Sequence, residues 1–172
     1  MKRQELGVML LTALLTASSM GAYAYLTDEE SLINEVNPAD CKISVEEDFK
    51  PPDKLRPGID FVKKPRVSND SAVDCYIRVR VIFEGESEAF CEPLSINEGW
   101  NLKEDGFYYW NEPLAPGELT DALFDTVKIR DDIAEYELQP FEIQIYAEGT
   151  LTAGLSANEA WALLDGEAGD AA

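Results

Sequence analysis

Three cysteines, Cys41, Cys75 and Cys91, are the residues of this sequence best suited to covalent chemistry. They allow at most one intramolecular disulfide, from three possible pairs, or all three stay reduced. They contain no C-x-x-C pair, and the 172 residues include no histidine to complete a zinc site. The missing histidine also rules out a Ser-His-Asp triad, a Cys-His pair and an H-E-x-x-H motif. We therefore expect a non-enzymatic protein with no catalytic residues and no metal site of these kinds.

The chain is strongly acidic, with 34 Asp and Glu against 14 Lys and Arg and a net charge of −20. This charge repels nucleic acid and anionic lipid headgroups, so neither is an expected partner. A glycosidase needs two carboxylates at a defined separation. Close pairs of carboxylates arise by chance among so many acidic residues, and no pair in this sequence stands out as catalytic. The acidic stretches are TDEE (27–30), EED (46–48) and RDD (130–132). None matches the D-x-D-x-D-G calcium loop, so exposed loop charge is favoured, calcium is a weak alternative, and no cofactor is expected.

The aromatic run FYYW at 107–110 has two interpretations. In a strand, Phe107 and Tyr109 point to one face of the sheet, and Tyr108 and Trp110 point to the other. Aromatic residues in such a pattern usually pack in the core or against a neighbouring strand. The alternative is that Tyr108 and Trp110 form a face that contacts a sugar or a protein partner.

The amino terminus has the pattern of a secretory signal peptide. A Lys-Arg pair at 2–3 precedes a short apolar core at 6–17, and Ala22-Tyr23-Ala24 has the small-x-small pattern of a cleavage site. We expect cleavage before Tyr25, which leaves 172 − 24 = 148 residues and, after loss of a +1 segment, a net charge of −20 − 1 = −21. The alternative is an uncleaved anchor, which would be the protein's only association with a membrane. The apolar core is shorter than the roughly 20 residues that span a bilayer.

Apolar residues after this segment mostly alternate with polar ones, which is typical of strands with one buried face. The clearest example lies within DCYIRVRVIFEG (74–85). It predicts a buried face of Ile77, Val79, Val81 and Phe83, and a solvent-exposed face of Tyr76, Arg78 and Arg80. Shorter strands are expected within 41–49, 106–111, 123–129 and 140–149. The stretch 61–70 also reads as a strand, which Pro65 would confine to a sheet edge or a bulge, and 84–99 reads as a long acidic loop.

One helix is predicted near the end of the chain, in SANEAWALLDG (156–166). Ser156 and Glu159 have the spacing of a capping box, and Gly166 is a suitable stop. The residues after it, 167–172, read as a tail. The whole pattern predicts an all-β domain over 25–166, a two-sheet antiparallel sandwich of jelly-roll or immunoglobulin-like type with one short C-terminal helix.

Several segments, in order, resemble a known family. GAYAYLTDEE (21–30) is similar to the junction of proteins that a SipW-type signal peptidase cleaves. KKPRVSNDSAVDCYIRVRVIF (63–83) resembles a Lys-x-x-x-Val-x-Asn segment that leads into a Tyr-(Val/Ile)-Arg-Val strand. GFYYWNEPLAPGELTDALFDTVKI (106–129) resembles a later block of the same family. That family is the TasA/camelysin group of secreted proteins of Gram-positive bacteria, and the likeness extends over about 25–150 and to the late helix.

The resemblance implies a secreted, extracellular or cell-surface structural protein of the biofilm matrix. It also implies fibres built from copies of the chain, or with related matrix proteins, by donor-strand exchange. The donor strand would be 25–37, and its apolar residues are Tyr25, Leu26, Leu32, Ile33 and Val36. An extended peptide of this kind satisfies the unpaired N–H and C=O groups of a sheet edge.

Three alternatives stay open at this stage. The segment 25–37 is an ordinary first strand paired within its own chain, or the protein is a monomeric adhesion module. That module would use either the face of Tyr108 and Trp110 or the 84–99 segment. The third alternative is the metallopeptidase activity that the name camelysin carries, which conflicts with the absence of histidine.

Overall fold

The structure, a computed structural model, describes residues 41–166 and places seven strands and one α-helix in them. The strands are β1 Ile43–Phe49, β2 Asp60–Asn69, β3 Cys75–Phe83, β4 Trp100–Leu102, β5 Tyr108–Trp110, β6 Thr126–Lys128 and β7 Ile143–Leu151. Helix α1 is Ala157–Leu164, and 3₁₀ turns occur at Ser87–Phe90 and Glu135–Glu137. The predicted signal segment and the tail lie outside the described residues.

The strands form two antiparallel sheets, with strand orders β1-β2-β6 and β4-β5-β3-β7. The main core lies between the sheets and includes the predicted inward residues Ile77 and Val79, which are almost fully buried. Val81 and Phe83 pack against the same core at the end of β3. This arrangement confirms the predicted all-β two-sheet sandwich with one short C-terminal helix.

Pro65 is not at a sheet edge, so this part of the prediction is wrong. It lies in β2, the middle strand of its sheet, opposite Glu47. Pairing of β2 with β6 is limited to Asp60–Val62. Beyond that point the neighbouring chain is irregular, and the Pro65 carbonyl accepts from the Leu123 N–H at 2.8 Å. A residue without an N–H is tolerated here because no regular ladder continues on this side.

Helix α1 begins with the predicted capping box. Ser156 Oγ accepts from the Glu159 N–H, and a Glu159 carboxylate oxygen accepts from the Ser156 N–H at 2.9 Å. Gly166, at φ +78°, adopts the left-handed conformation that ends a helix without steric cost. Ala160 and Trp161 are buried by the contact with the sheet, and burial of the indole contributes about 2–3 kcal/mol.

The outer face of β3 is covered, whereas the sequence predicted a solvent-exposed face. A second apolar cluster of Phe107, Tyr109 and Trp161 fills the space between the four-stranded sheet and α1. Arg78 lies within this layer and is only 5 % exposed. The alternation in the sequence correctly separates the two faces of β3, but the polar face is covered at Arg78 and half-buried at Tyr76 and Arg80.

Candidate assembly site

The predicted cleavage and donor residues lie outside the described residues. These are Ala22, Ala24, Tyr25, Leu26, Leu32, Ile33 and Val36. The described strands carry the other half of a donor-strand contact, the sheet edges that would accept a strand.

One free edge belongs to β1. The Lys42 carbonyl accepts from the Asp70 N–H at 2.9 Å, and the Lys50 N–H donates to the Val62 carbonyl at 3.0 Å. Even-numbered residues of β1 therefore direct their backbone groups toward β2, and odd-numbered residues direct theirs outward. The outward residues, which have no backbone hydrogen-bond partner within 41–166, are Ile43, Val45, Glu47 and Phe49.

A second free edge, on β7, lies beside the first. The Glu84 N–H donates to the Glu142 carbonyl at 3.0 Å, so even-numbered residues of β7 face β3 and odd-numbered residues face outward. No outward group of β7 is bonded to another described residue. The two edges approach each other closely at Gly149, where a Cβ would lie 2.7 Å from Cys41 Sγ and 3.0 Å from Ile43 Cγ2.

The opposite side of the sandwich is closed by the 84–99 segment. The Glu92 N–H donates to the Lys128 carbonyl and the Arg130 N–H donates to the Phe90 carbonyl, both at 2.9 Å, which covers the outer edge of β6. On the same side, the Asn97 N–H donates to the Leu123 carbonyl at 2.9 Å. The remaining outer strand of the described sheets, β4, is three residues long. The long free edges of the described strands therefore lie on one side of the molecule, at β1 and β7.

Residues 41 and 75 anchor β1 at one end of this site. A disulfide joins Cys41 and Cys75, with their Cα atoms 6.2 Å apart, and so links the start of β1 to the start of β3. Because 25–37 ends four residues before Cys41, the predicted donor segment is tethered close to this cross-link. Cys91 is the free cysteine and is buried. Burial, with a smaller effect of the Glu88 carboxylate, raises the pKa of the Cys91 thiol to about 11, so it is not a thiolate nucleophile at neutral pH.

The proposed partner residues Tyr108 and Trp110 are half-buried and pack against the main core. The Trp110 ring lies 5.2 Å from that of Trp100 and fills the space above Gly99, where any Cβ would overlap it. Burial, together with the charge of Glu88, raises the pKa of Tyr108. Core packing therefore accounts for much of the surface of both side chains, and their use as a partner face stays a prediction.

A cluster of charged groups around Arg78 links the four-stranded sheet to the end of α1. Arg78 donates from Nε to Glu148 at 2.6 Å, from Nη2 and Nη1 to Asp165 at 2.6 and 3.0 Å, and from Nη1 to the Tyr109 hydroxyl at 3.0 Å. The guanidinium carbon also lies 4.4 Å from the ring centroid of Trp161.

Burial alone would lower the pKa of Arg78, but its hydrogen bonds to two carboxylates and a tyrosine raise that pKa above its ordinary value. This many partners fix the position of the guanidinium between the sheet and the end of α1. Sequence alternation alone did not reveal this cluster. A signal for it was Trp161 in the predicted helix, a large apolar side chain that needs a surface to pack on.

The described residues offer no cluster for a metal ion. Among residues 41–166, no group of three or more His, Cys, Asp and Glu side chains is arranged to bind one. Of the acidic stretches, 46–48 lies within β1, and Asp132 accepts from Arg130 at 2.6 Å. The helical segments of this same part of the chain are also too short or too polar to cross a membrane.

Comparison with known proteins found no match to this chain among family models, curated proteins or solved structures. The likeness to the TasA/camelysin group therefore depends on the sequence motifs and their order. The physical basis for a functional proposal is the pair of free edges on one side of the sandwich.

Proposed function

We propose that the chain is a secreted, non-enzymatic structural protein of the cell surface or biofilm matrix. Copies assemble into fibres when 25–37 of one copy adds as a strand to the sandwich of the next. The observation that carries this proposal is the asymmetry of the domain. One side is closed by the 84–99 segment, and the other presents the unpaired backbone groups of β1 and β7. Such edges are templates for an added strand.

Side-chain burial favours β1 as the acceptor. On β7 the core-facing residues Ile143, Ile145 and Ala147 are already buried, at 8 %, 8 % and 6 % exposure. On β1, Val45 and Phe49 are only half-buried although they pack against the core. An added strand beside β1 would cover them with its own apolar side chains, and the donor residues named above supply these.

The same segment is also close enough in sequence to pair with β1 of its own chain as a hairpin. The two arrangements satisfy the same backbone groups, but only addition to a second copy propagates and depends on protein concentration. Concentration-dependent assembly therefore separates a fibre subunit from a monomer with an ordinary first strand.

The direct test compares the chain that starts at Tyr25 with one that starts at Pro38, by light scattering and electron microscopy. We expect fibres from the longer chain and a folded monomer from the shorter one. If both stay monomeric over a wide range of concentration and pH, the fibre proposal is wrong.

Proline substitutions identify the acceptor edge. Val45→Pro removes an outward N–H of β1 and leaves the ladder to β2 intact, so it should block fibres while the protein still unfolds cooperatively. Ala147→Pro does the same on β7 and is the matched control, which should still form fibres. If Val45→Pro forms fibres and Ala147→Pro does not, the acceptor strand is β7 and not β1.

A further inference from the structure

An open cleft of about 310 Å³ lies where β1 ends. Its floor is apolar, with Phe61 buried and Pro52 and Ile59 half-buried. The residues that line it are Lys50, Pro52, Asp53, Lys54, Arg56, Ile59, Asp60, Phe61 and Val62. Lys50 directly follows the last residue of β1, so the cleft lies next to the carboxyl end of that strand.

The cleft is basic in a protein that is otherwise acidic. Three cations and two carboxylates line it, which gives +3 − 2 = +1. The stretch 50–66 has six Lys and Arg and two Asp, a net charge of +4, whereas the whole chain carries −20. An acidic partner is repelled by most of this surface and attracted here.

Two of the three cations are free of ion pairs among the described residues. Lys50 and Arg56 are exposed and form no salt bridge within 41–166, although Arg56 lies near Glu135. Lys54 bonds Glu135 at 2.6 Å, but both side chains are more than half exposed, so a new carboxylate displaces this contact at little cost. The cleft can therefore bind two or three additional carboxylates above an apolar floor.

We propose that this cleft binds the acidic stretch 27–30, TDEE, of a second copy of the chain. The inference rests on the proposed function and gives the added strand a direction. β1 has seven residues, and the seven residues 31–37 match it when they add antiparallel. The amino-terminal end of the donor then lies at the carboxyl end of β1. Asp28, Glu29 and Glu30 come level with the cleft, and Tyr25 and Leu26 reach toward its apolar floor.

A charge-swap series on the chain that starts at Tyr25 tests this assignment. Lys50→Glu/Arg56→Glu should slow fibre formation, and so should Asp28→Lys/Glu29→Lys. The four substitutions together should restore it, because the attraction is rebuilt with reversed signs. Lys103→Glu/Lys128→Glu is the matched control: it makes the same change in net charge at exposed lysines outside the cleft and away from β1.

The second readout is binding of a fluorescent peptide of residues 25–37 to the same proteins, followed by anisotropy. We expect the cleft variant to bind it about tenfold more weakly than the Lys103→Glu/Lys128→Glu control does, with recovery when the peptide carries the lysine substitutions. Equal effects of cleft and control variants, or no recovery in the swap, would overturn the cleft assignment while leaving the fibre proposal intact. If the peptide binds in a cleft-dependent way but the protein never forms fibres, the assignment of the cleft is supported and the fibre proposal is wrong.

Discussion

At the scale of single residues, several polar side chains are buried and structural. In the Lys-x-x-x-Val-x-Asn segment, Lys63, Val67 and Asn69 are 7 %, 1 % and 0 % exposed. Lys63 bonds Glu47 at 2.7 Å, and the Asn69 amide donates to the carbonyls of two loops at 2.7 and 2.8 Å. The Lys63 ammonium and the Asn69 amide each have a partner, as the cost of desolvation requires. Packing and hydrogen bonding within the fold therefore account for the residue types of this motif, which also contributes to the family resemblance.

Arg78 is the residue whose loss should be most damaging. Arg78→Met removes the cation that Asp105, Glu148 and Asp165 share and should lower the free energy of unfolding by about 3 kcal/mol. Arg78→Lys keeps the charge but not the paired hydrogen bonds, so it should lower the free energy of unfolding less than Arg78→Met does. Urea unfolding measures both.

Arg130→Met is the matched control, because Arg130 is exposed and its partner is Asp132, two residues away. This change should leave the free energy of unfolding nearly unchanged, because an exposed ion pair contributes little to stability. A loss from Arg78→Met as small as that of the control would mean that the buried cluster contributes nothing to stability.

At the scale of elements, β1 is the strand on which the functional argument depends. It is held by seven residue pairs with β2 along one edge and by the Cys41–Cys75 disulfide at its start. An edge strand with one hydrogen-bonded side is the part of a sheet that opens most readily. The cross-link keeps the start of β1 in place.

Removal of this disulfide should therefore destabilise the domain. Cys41 and Cys75 are 34 residues apart, and closing a loop of this length stabilises by about 3–4 kcal/mol in the chain-entropy model. Cys41→Ser/Cys75→Ser should lower the midpoint of urea unfolding accordingly. The wild-type midpoint should fall with a reductant, whereas that of the double variant should not change. If the reductant has no effect on the wild type, the cross-link is not formed in solution or does not stabilise the domain.

At the scale of the whole molecule, net charge opposes assembly. Each chain carries −20, and its isoelectric point is near 4.1, so copies repel one another at neutral pH. This repulsion acts over about 8–10 Å at physiological salt and must be overcome before any edge contact forms.

Fibre formation should accelerate as the pH falls from 7.5 toward 5. Carboxylates take up protons in this direction, so the net negative charge shrinks and the repulsion between copies weakens. Light scattering at constant protein concentration measures the rate, and a chain that starts at Pro38 serves as the control for simple acid aggregation. A rate that is constant or falls toward pH 5 would show that repulsion between copies does not limit assembly.

The sequence by itself determined the local elements. Period-two alternation predicted the strands and the two faces of β3, and the Ser156–Glu159 spacing predicted where α1 begins, because both depend on neighbouring residues. The sequence left three possible cysteine pairs, and it predicted a solvent-exposed outer face for β3 and an edge position for Pro65. Only the tertiary structure decided these points, together with which strand edges are free. They depend on which distant segments meet, and local periodicity does not encode the order of strands in a sheet.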